Sequence, residues 1–203
     1  MQDDSQTRTG GGGRSLLEGW NSPPNIVTYV RIVLVMVFIG LYARSGAWGS
    51  GGLGLRWAAT VLFVVAASTD KLDGYLARKY DQVTELGKLM DPIADKLLIC
   101  SALVIASMFG EIWWLVTVLF LIRELGITVM RFFVIDNGGK VIAASQAGKY
   151  KTLFECVGLA LLLAPLERLG TWYVSVARGV ILLALVLCLY SGFEYMRGAL
   201  GHR

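Results

Sequence analysis

The chain has 203 residues, of which 55% are hydrophobic and only 17% are charged. Because a soluble domain of this length cannot bury so much apolar surface, the composition excludes an ordinary soluble globular protein and predicts membrane helices of ~20 residues each. The net charge of +4 is too mild for a nucleic-acid footprint, so we expect no nucleic-acid partner; it suits basic loops that face anionic lipid.

The beginning of the chain, residues 1–22, is polar and includes a run of glycines from Gly10 to Gly13. This composition predicts a flexible leader. Within it, the segment from Leu16 to Trp20 is expected to lie on the membrane surface as an interfacial helix. We expect no signal peptide, because the first apolar run starts late and has no small-residue cleavage site.

Residues 23–203 are predicted to form one all-α integral membrane domain of six transmembrane helices with a polar cavity at the cytoplasmic boundary. Apolar runs separated by glycine-rich or polar turns give the spans. The third helix is expected to have Pro92 near its start, where a missing N–H costs little. The predicted apolar spans are 25–44, 53–69, 97–109, 112–135, 147–164 and 172–197.

Six spans would place both termini on one side of the membrane. Basic residues are concentrated in the loops and tail of that side, at Arg78, Lys79, Lys88, Lys140, Lys149, Lys151, Arg197 and Arg203. The opposite loops hold little beyond Arg44, Arg56 and Arg168. The positive-inside rule therefore predicts a multi-pass protein of the cell membrane with both termini cytoplasmic.

Cysteine and histidine offer no site. Cys100, Cys156 and Cys188 are scattered through apolar runs, which predicts packing residues and argues against disulfides or a zinc site. The one histidine, His202, lies next to the last residue. We therefore assign no catalytic histidine.

Four carboxylates stand out in the otherwise apolar chain. Asp70 and Asp73 are three residues apart, and Asp91 and Asp95 are four apart. On a helix, either spacing puts both side chains on one face. Like charges at this range repel, and apolar surroundings raise that cost, so the arrangement requires counter-charge.

Two divalent cations would supply that counter-charge. Carboxylate oxygens are hard ligands that suit Mg²⁺ or Mn²⁺, and two metals in turn suit a diphosphate or an in-line displacement at phosphorus. The stretch is not an EF-hand loop, which needs Asp-x-Asp-x-Asp-Gly with a Glu six residues later. A lone Asp-x-x-Asp-Gly would more often be structural. Here it is part of a longer pattern of eight specified residues at fixed spacing, and such a pattern rarely arises by chance.

The full pattern, D-x2-D-G-x2-A-R-x8-G-x3-D-x3-D, resembles the signature of the CDP-alcohol phosphotransferase family. It is met without departure by Asp70, Asp73, Gly74, Ala77, Arg78, Gly87, Asp91 and Asp95. The preceding Pro24-Asn25-x-x-Thr28-x-x-Arg31 is also similar to family members. Arg31 lies about a turn and a half inside the first span, so it should face protein or water.

The resemblance implies residue roles. Asp70, Asp73, Asp91 and Asp95 would hold two ions, Mg²⁺ or Mn²⁺, and Asp95 would also be the catalytic base. The nucleotide of the donor would be bound by residues in the signature and at the start of the first helix: Asn25, Thr28, Gly74, Ala77, Arg78, Thr84 and Gly87. The family also implies a homodimer in a bacterial membrane.

Family members displace CMP from a CDP-linked alcohol, often CDP-diacylglycerol, with the hydroxyl of a second alcohol. The segments 86–97 and 140–152, with Arg123-Glu124, are similar to the version that uses glycerol 3-phosphate. A phosphorylated acceptor requires cations, and the candidates are Arg123, Arg131, Lys140, Lys149 and Lys151. Inositol phosphate would need the same residues, so charge alone leaves both acceptors open.

Two further alternatives remain at this point. Glu124 and an arginine could form a structural ion pair in place of a basic wall that faces the substrate. Intramembrane acids and arginines also occur in transporters, although this chain shows no inverted repeat and its acids cluster at one membrane boundary.

Overall fold

A computed structural model describes the backbone of residues 23–80, 85–136, 146–166 and 170–200, and side chains at 26, 28–69, 93–94, 96–130, 150–166 and 170–197. Every long element in these ranges is an α-helix, which confirms the all-α class. The helices are α1 (Pro23–Ser45), α2 (Leu53–Tyr80), α3 (Glu85–Met108), α4 (Trp114–Asp136), α5 (Gln146–Leu163) and α6 (Thr171–Leu200), with a 3₁₀ turn at Ala47–Gly49.

Two of these helices are long and apolar enough to cross a bilayer, over Thr28–Ser45 and Thr171–Arg197. Leu53–Thr69 and Lys96–Met108 form shorter apolar stretches. Helix α4 carries two charged residues in its middle, Arg123 and Glu124. The described residues thus have the character of a membrane protein, and the count of six spans stays a prediction.

The helices pack around a shared apolar core. Helix α1 contacts α2 and α3, α5 contacts α6 and α2, and α4 contacts α3 and α6. Buried side chains from successive helices fill the centre, including Phe38, Phe63, Leu103, Phe120 and Leu159. Outward-facing positions are also apolar, for example Leu115, Ile122 and Val129 on α4, as expected where lipid covers the surface.

Helices α5 and α6 cross closely at a glycine. A methyl group on Gly158 would lie 2.7 Å from Cγ1 of Ile181 and 3.1 Å from its backbone nitrogen. Small residues at such crossings let helix backbones approach.

The structure differs from the sequence prediction around Pro92. Helix α2 continues through Asp70 and Asp73 to Tyr80, and α3 already begins at Glu85. Pro92 is therefore the eighth residue of α3, not a first-turn residue. Pro92 lies between Asp91 and Asp95, and its missing N–H removes one backbone hydrogen bond from the interior of this helix.

Candidate metal and phosphate site

The two acidic pairs lie on neighbouring helices at matching heights. Helices α2 and α3 contact each other, and only residues 81–84 separate them, so they run antiparallel. Asp73 is seven residues before the end of α2 and Asp91 six after the start of α3, or ~10 and ~9 Å along the axes. Asp70 and Asp95 are each ten residues from the same ends, or ~15 Å.

The start of α1 is held beside this acidic part of α2. Arg31 is fully buried, and its Nε donates a hydrogen bond of 3.3 Å to Oγ1 of Thr69. Thr69 directly precedes Asp70. Thr28, one turn before Arg31, is also buried. The prediction that Arg31 faces protein is confirmed, and the bond brings α1 to the height of Asp70.

Helices α3 and α4 meet at the same height through Lys96 and Glu124. The Nζ of Lys96, the residue after Asp95, donates to the backbone carbonyl of Glu124 at 3.1 Å and to its Oε2 at 3.3 Å. The lysine that directly follows the acidic signature is thus turned towards α4. Sequence analysis gave Lys96 no role, because its partner is 28 residues away.

Helix α5 also contributes a bond to the carboxylate of Glu124. The Nζ of Lys151 lies 2.5 Å from Oε1 of Glu124 and 2.9 Å from Oε2 of Glu155. The second oxygen of Glu155, Oε1, is buried and has no hydrogen-bond partner among the described side chains and backbone groups. Lys151 therefore bridges two carboxylates, and most of its side chain is enclosed.

Arg123 completes the group and ties it to α6. Its Nη1 lies 2.7 Å from Oε1 of Glu124. Its Nε donates to the carbonyl of Cys188 at 3.0 Å, and its Nη2 to Oγ of Ser191 at 2.5 Å. The structural ion pair that we considered for Glu124 is present, and binding of a substrate phosphate by Arg123 stays a prediction.

We call these five charged residues the Glu124 cluster: Lys96, Arg123, Glu124, Lys151 and Glu155. Three cations face two carboxylates, so the cluster carries one excess positive charge when every member is ionised. Four helices contribute a side chain or a carbonyl to it. Such a group beside the acidic positions can attract a phosphate.

Other predicted site residues are placed only by their backbone or lie outside the described residues. Gly74, Ala77 and Arg78 are on α2, and Gly87 is on α3. Asn25 is on α1, Arg131 on α4 and Lys149 on α5. Thr84 and Lys140 lie outside the described residues.

The donor set fits a pair of hard divalent cations. Four carboxylate-bearing positions occur at two matching heights on contacting helices, and carboxylate oxygen is the ligand that Mg²⁺ and Mn²⁺ prefer. The side chains of all four aspartates lie outside the described set. Among the side chains that are described, no three histidine, cysteine or carboxylate groups are grouped to hold a metal ion.

A second polar cluster lies at the opposite end of the bundle, and sequence analysis missed it. We call it the Glu111 cluster. Glu111 accepts bonds from Nη2 of Arg56 at 2.7 Å, from the hydroxyl of Tyr42 at 2.7 Å and from the backbone N–H of Trp48 at 2.8 Å. Arg56 also donates to the carbonyls of Leu162 and Leu163. The available signal was one charged residue near the start of α2 and another in the short connection between α3 and α4.

Comparisons with known proteins agree with the sequence pattern. The model of the family described as CDP-alcohol phosphatidyltransferase matches residues 21–190. A relative in Mycobacterium tuberculosis, named probable phosphatidylglycerophosphate synthase, is 44% identical over 87% of this chain and 80% of its own length.

Two further relatives are named CDP-diacylglycerol–glycerol-3-phosphate 3-phosphatidyltransferase. The Bacillus subtilis protein is 34% identical, over 85% of this chain and 92% of its own length. The Escherichia coli K12 protein is 32% identical, over 87% of this chain and 93% of its own length. These alignments cover the acidic helices and the Glu124 cluster together.

Proposed function

The chain belongs to the CDP-alcohol phosphatidyltransferase family, and from this membership we propose that it transfers the phosphatidyl group of CDP-diacylglycerol to sn-glycerol 3-phosphate. The products are phosphatidylglycerophosphate and CMP. The observation that carries the proposal is the family match over residues 21–190, together with relatives whose names specify this reaction.

In this proposal the metal ions are bound by the acidic positions on α2 and α3. Asp70, Asp73, Asp91 and Asp95 would hold two divalent cations, Mg²⁺ or Mn²⁺. Such ions, when bound, neutralise the charge of the diphosphate as CMP leaves. The matching heights of the two acidic pairs support this assignment.

Asp95 is assigned the proton transfer. Its carboxylate takes the proton of the acceptor hydroxyl as that oxygen attacks the phosphorus bearing the diacylglycerol. The bond from this phosphorus to the oxygen of CMP breaks, and CMP leaves with the bonding electron pair. Asp95 is level with Asp70 and directly precedes Lys96, a member of the Glu124 cluster, and this position supports the assignment.

The donor nucleotide is assigned to the start of α1 and to the signature. Arg31 and Thr69 hold these two segments together, which supports a shared pocket. Small residues allow close approach to the ligand, and Arg78 offers a cation for its phosphates. The proposed contacts are Asn25, Thr28, Gly74, Ala77, Arg78, Thr84 and Gly87.

The acceptor phosphate is assigned to cations on and between α4 and α5: Arg123, Arg131, Lys140, Lys149 and Lys151. In the same proposal, six helices span a bacterial cell membrane with both termini cytoplasmic, where nucleotide-linked substrates are met. Reporter fusions at each terminus and loop test this topology. The homodimer stays a prediction, which mass measurement of the detergent-solubilised protein tests.

An acceptor panel tests the reaction. Purified protein is given CDP-diacylglycerol in detergent micelles, Mg²⁺ and labelled glycerol 3-phosphate, inositol phosphate or serine in separate reactions. We expect lipid-soluble label and equimolar CMP with glycerol 3-phosphate. Label only with another acceptor would reassign the substrate, and folded protein that labels no lipid would reject the proposal. CMP release without any gradient would also exclude a transporter.

A further inference from the structure

Glu124 is the centre of the Glu124 cluster, which lies beside the acidic positions of α2 and α3. Its side chain is bonded to Lys96 from α3, Arg123 from α4 and Lys151 from α5. Its carboxylate also accepts a weak contact from Sγ of Cys188 on α6 at 3.7 Å. Each of the three cations would repel the others without this shared carboxylate.

The three cations differ in how accessible they are. The Lys96 side chain is 25% exposed, that of Arg123 16% and that of Lys151 7%. Lys151 is held between two carboxylates, whereas Lys96 bonds to only one. Lys96 is therefore the cation of the three that an approaching anion can reach most readily.

We propose that Glu124 is a positioning residue for the acceptor: it holds Lys96 and Arg123 as a preformed cationic pair, with Lys96 as the more accessible contact for the acceptor phosphate. This proposal rests on the proposed function. Lys96 follows the candidate base directly, so a phosphate held there would keep the acceptor hydroxyl near Asp95. Holding long side chains in place before binding reduces the entropy lost on binding.

Because Glu124 is negatively charged, the direction in which Glu124→Gln changes the acceptor KM distinguishes two possible roles. Glu124→Gln removes a negative charge, so if the cluster only set the local potential, the variant would bind an anionic acceptor more tightly. If Glu124 positions the cations, the variant binds the acceptor more weakly, because Lys96 and Arg123 lose their shared partner. The two roles therefore predict opposite changes in KM.

The experiment compares Glu124→Gln with Glu111→Gln, a buried glutamate bonded to an arginine at the other end of the bundle. We expect Glu124→Gln to raise KM for glycerol 3-phosphate about tenfold or more while KM for CDP-diacylglycerol changes by less than about twofold. Glu124→Asp, which keeps the charge, should restore part of the affinity. Glu111→Gln should lower Tm and leave both KM values within about twofold.

Lys96→Gln supplies a second test on a partly exposed residue, should Glu124→Gln fail to fold. It should raise KM for glycerol 3-phosphate and leave Tm nearly unchanged. An unchanged or lowered acceptor KM in folded Glu124→Gln or in Lys96→Gln would overturn the inference, as would an equal rise in both KM values. Wild-type turnover with glycerol 3-phosphate tests the proposed function separately, so either can fail alone.

Discussion

The Glu111 cluster and the Glu124 cluster are alike in composition but differ in how far their charged side chains are exposed. Each has a glutamate bonded to an arginine inside an apolar helical frame. In the Glu111 cluster the side chains of Arg56 and Glu111 are 1% and 0% exposed. Backbone groups and a tyrosine supply the other bonds, and Nη1 of Arg56 has no hydrogen-bond partner among the described residues. In the Glu124 cluster the side chains of Lys96, Arg123 and Glu124 are 25%, 16% and 13% exposed, and the cations outnumber the carboxylates.

This difference separates structure from function. An ion pair that is buried and bonded inside the protein exposes almost no charge to a ligand, and it fixes the helices that supply it. A partly open group with excess charge can still bind an anion. We therefore expect changes at the acidic end to alter kinetics first, and changes at the far end to alter stability first.

The largest expected effect is on turnover at the acidic end. Asp95→Asn removes the proposed base, so kcat should fall by roughly 10²–10⁴-fold, while binding of CDP-diacylglycerol and metal is largely retained because the other three aspartates still hold the ions. Asp91→Asn should weaken both turnover and metal binding. Steady-state kinetics with Mg²⁺ titration measures both variants. Turnover of Asp95→Asn equal to wild type would remove the base assignment.

The next effect is on stability at the far end. Arg56→Met leaves Glu111 buried without its cation. This should lower the free energy of unfolding by about 3–5 kcal/mol and Tm by on the order of 10 °C. The double variant Arg56→Met/Glu111→Met removes both charges and should recover part of that loss. Thermal denaturation in detergent measures this; a double variant less stable than either single one would contradict the account.

The close crossing of α5 and α6 gives a smaller change. Gly158→Ala places a methyl 2.7 Å from Cγ1 of Ile181, so the helices must separate. We expect the free energy of unfolding to fall by about 1–3 kcal/mol. Gly179→Ala is the matched control, because nothing lies within 4 Å of its added methyl. The control should be neutral or stabilised by ~0.5–1 kcal/mol. Equal Tm values for both variants would show that the crossing is not close.

The smallest effect should come from Gly192, which borders Arg123. A methyl there would lie 3.3 Å from Cγ and 3.4 Å from Nε of Arg123, which presses on the bond to Cys188. We expect a rise of about two- to fivefold in KM for glycerol 3-phosphate. Gly126→Ala on α4, with open space around its methyl, should leave KM unchanged. A change in the control equal to that in Gly192→Ala would argue against a specific contact.

Much of the fold follows from the sequence because apolar run length and turn residues are local signals. The starts and ends of α1, α4, α5 and α6 lie within about three residues of the predicted spans. Helix α2 extends past its apolar run, and α3 begins before its own, because the acidic signature is itself helical. The spacing of the acidic pairs predicted that both lie on helices, but hydrophobicity did not show how early α3 begins, so Pro92 was wrongly expected near its start.

The site was predictable only where its residues follow one another in sequence. The signature identified the acidic positions and the family. Contacts such as that of Lys96 with Glu124, 28 residues apart, or Arg56 with Glu111, 55 apart, depend on how helices pack. No spacing rule encodes them, so Lys96, Glu155 and the whole Glu111 cluster went unassigned.

The central claim is that aspartates from α2 and α3 together hold two ions. Electron paramagnetic resonance with Mn²⁺ tests it directly. We expect two spin-coupled ions about 4 Å apart, and loss of the coupling in both Asp70→Asn and Asp91→Asn. Ions that bind without coupling, or coupling that survives either substitution, would contradict the account.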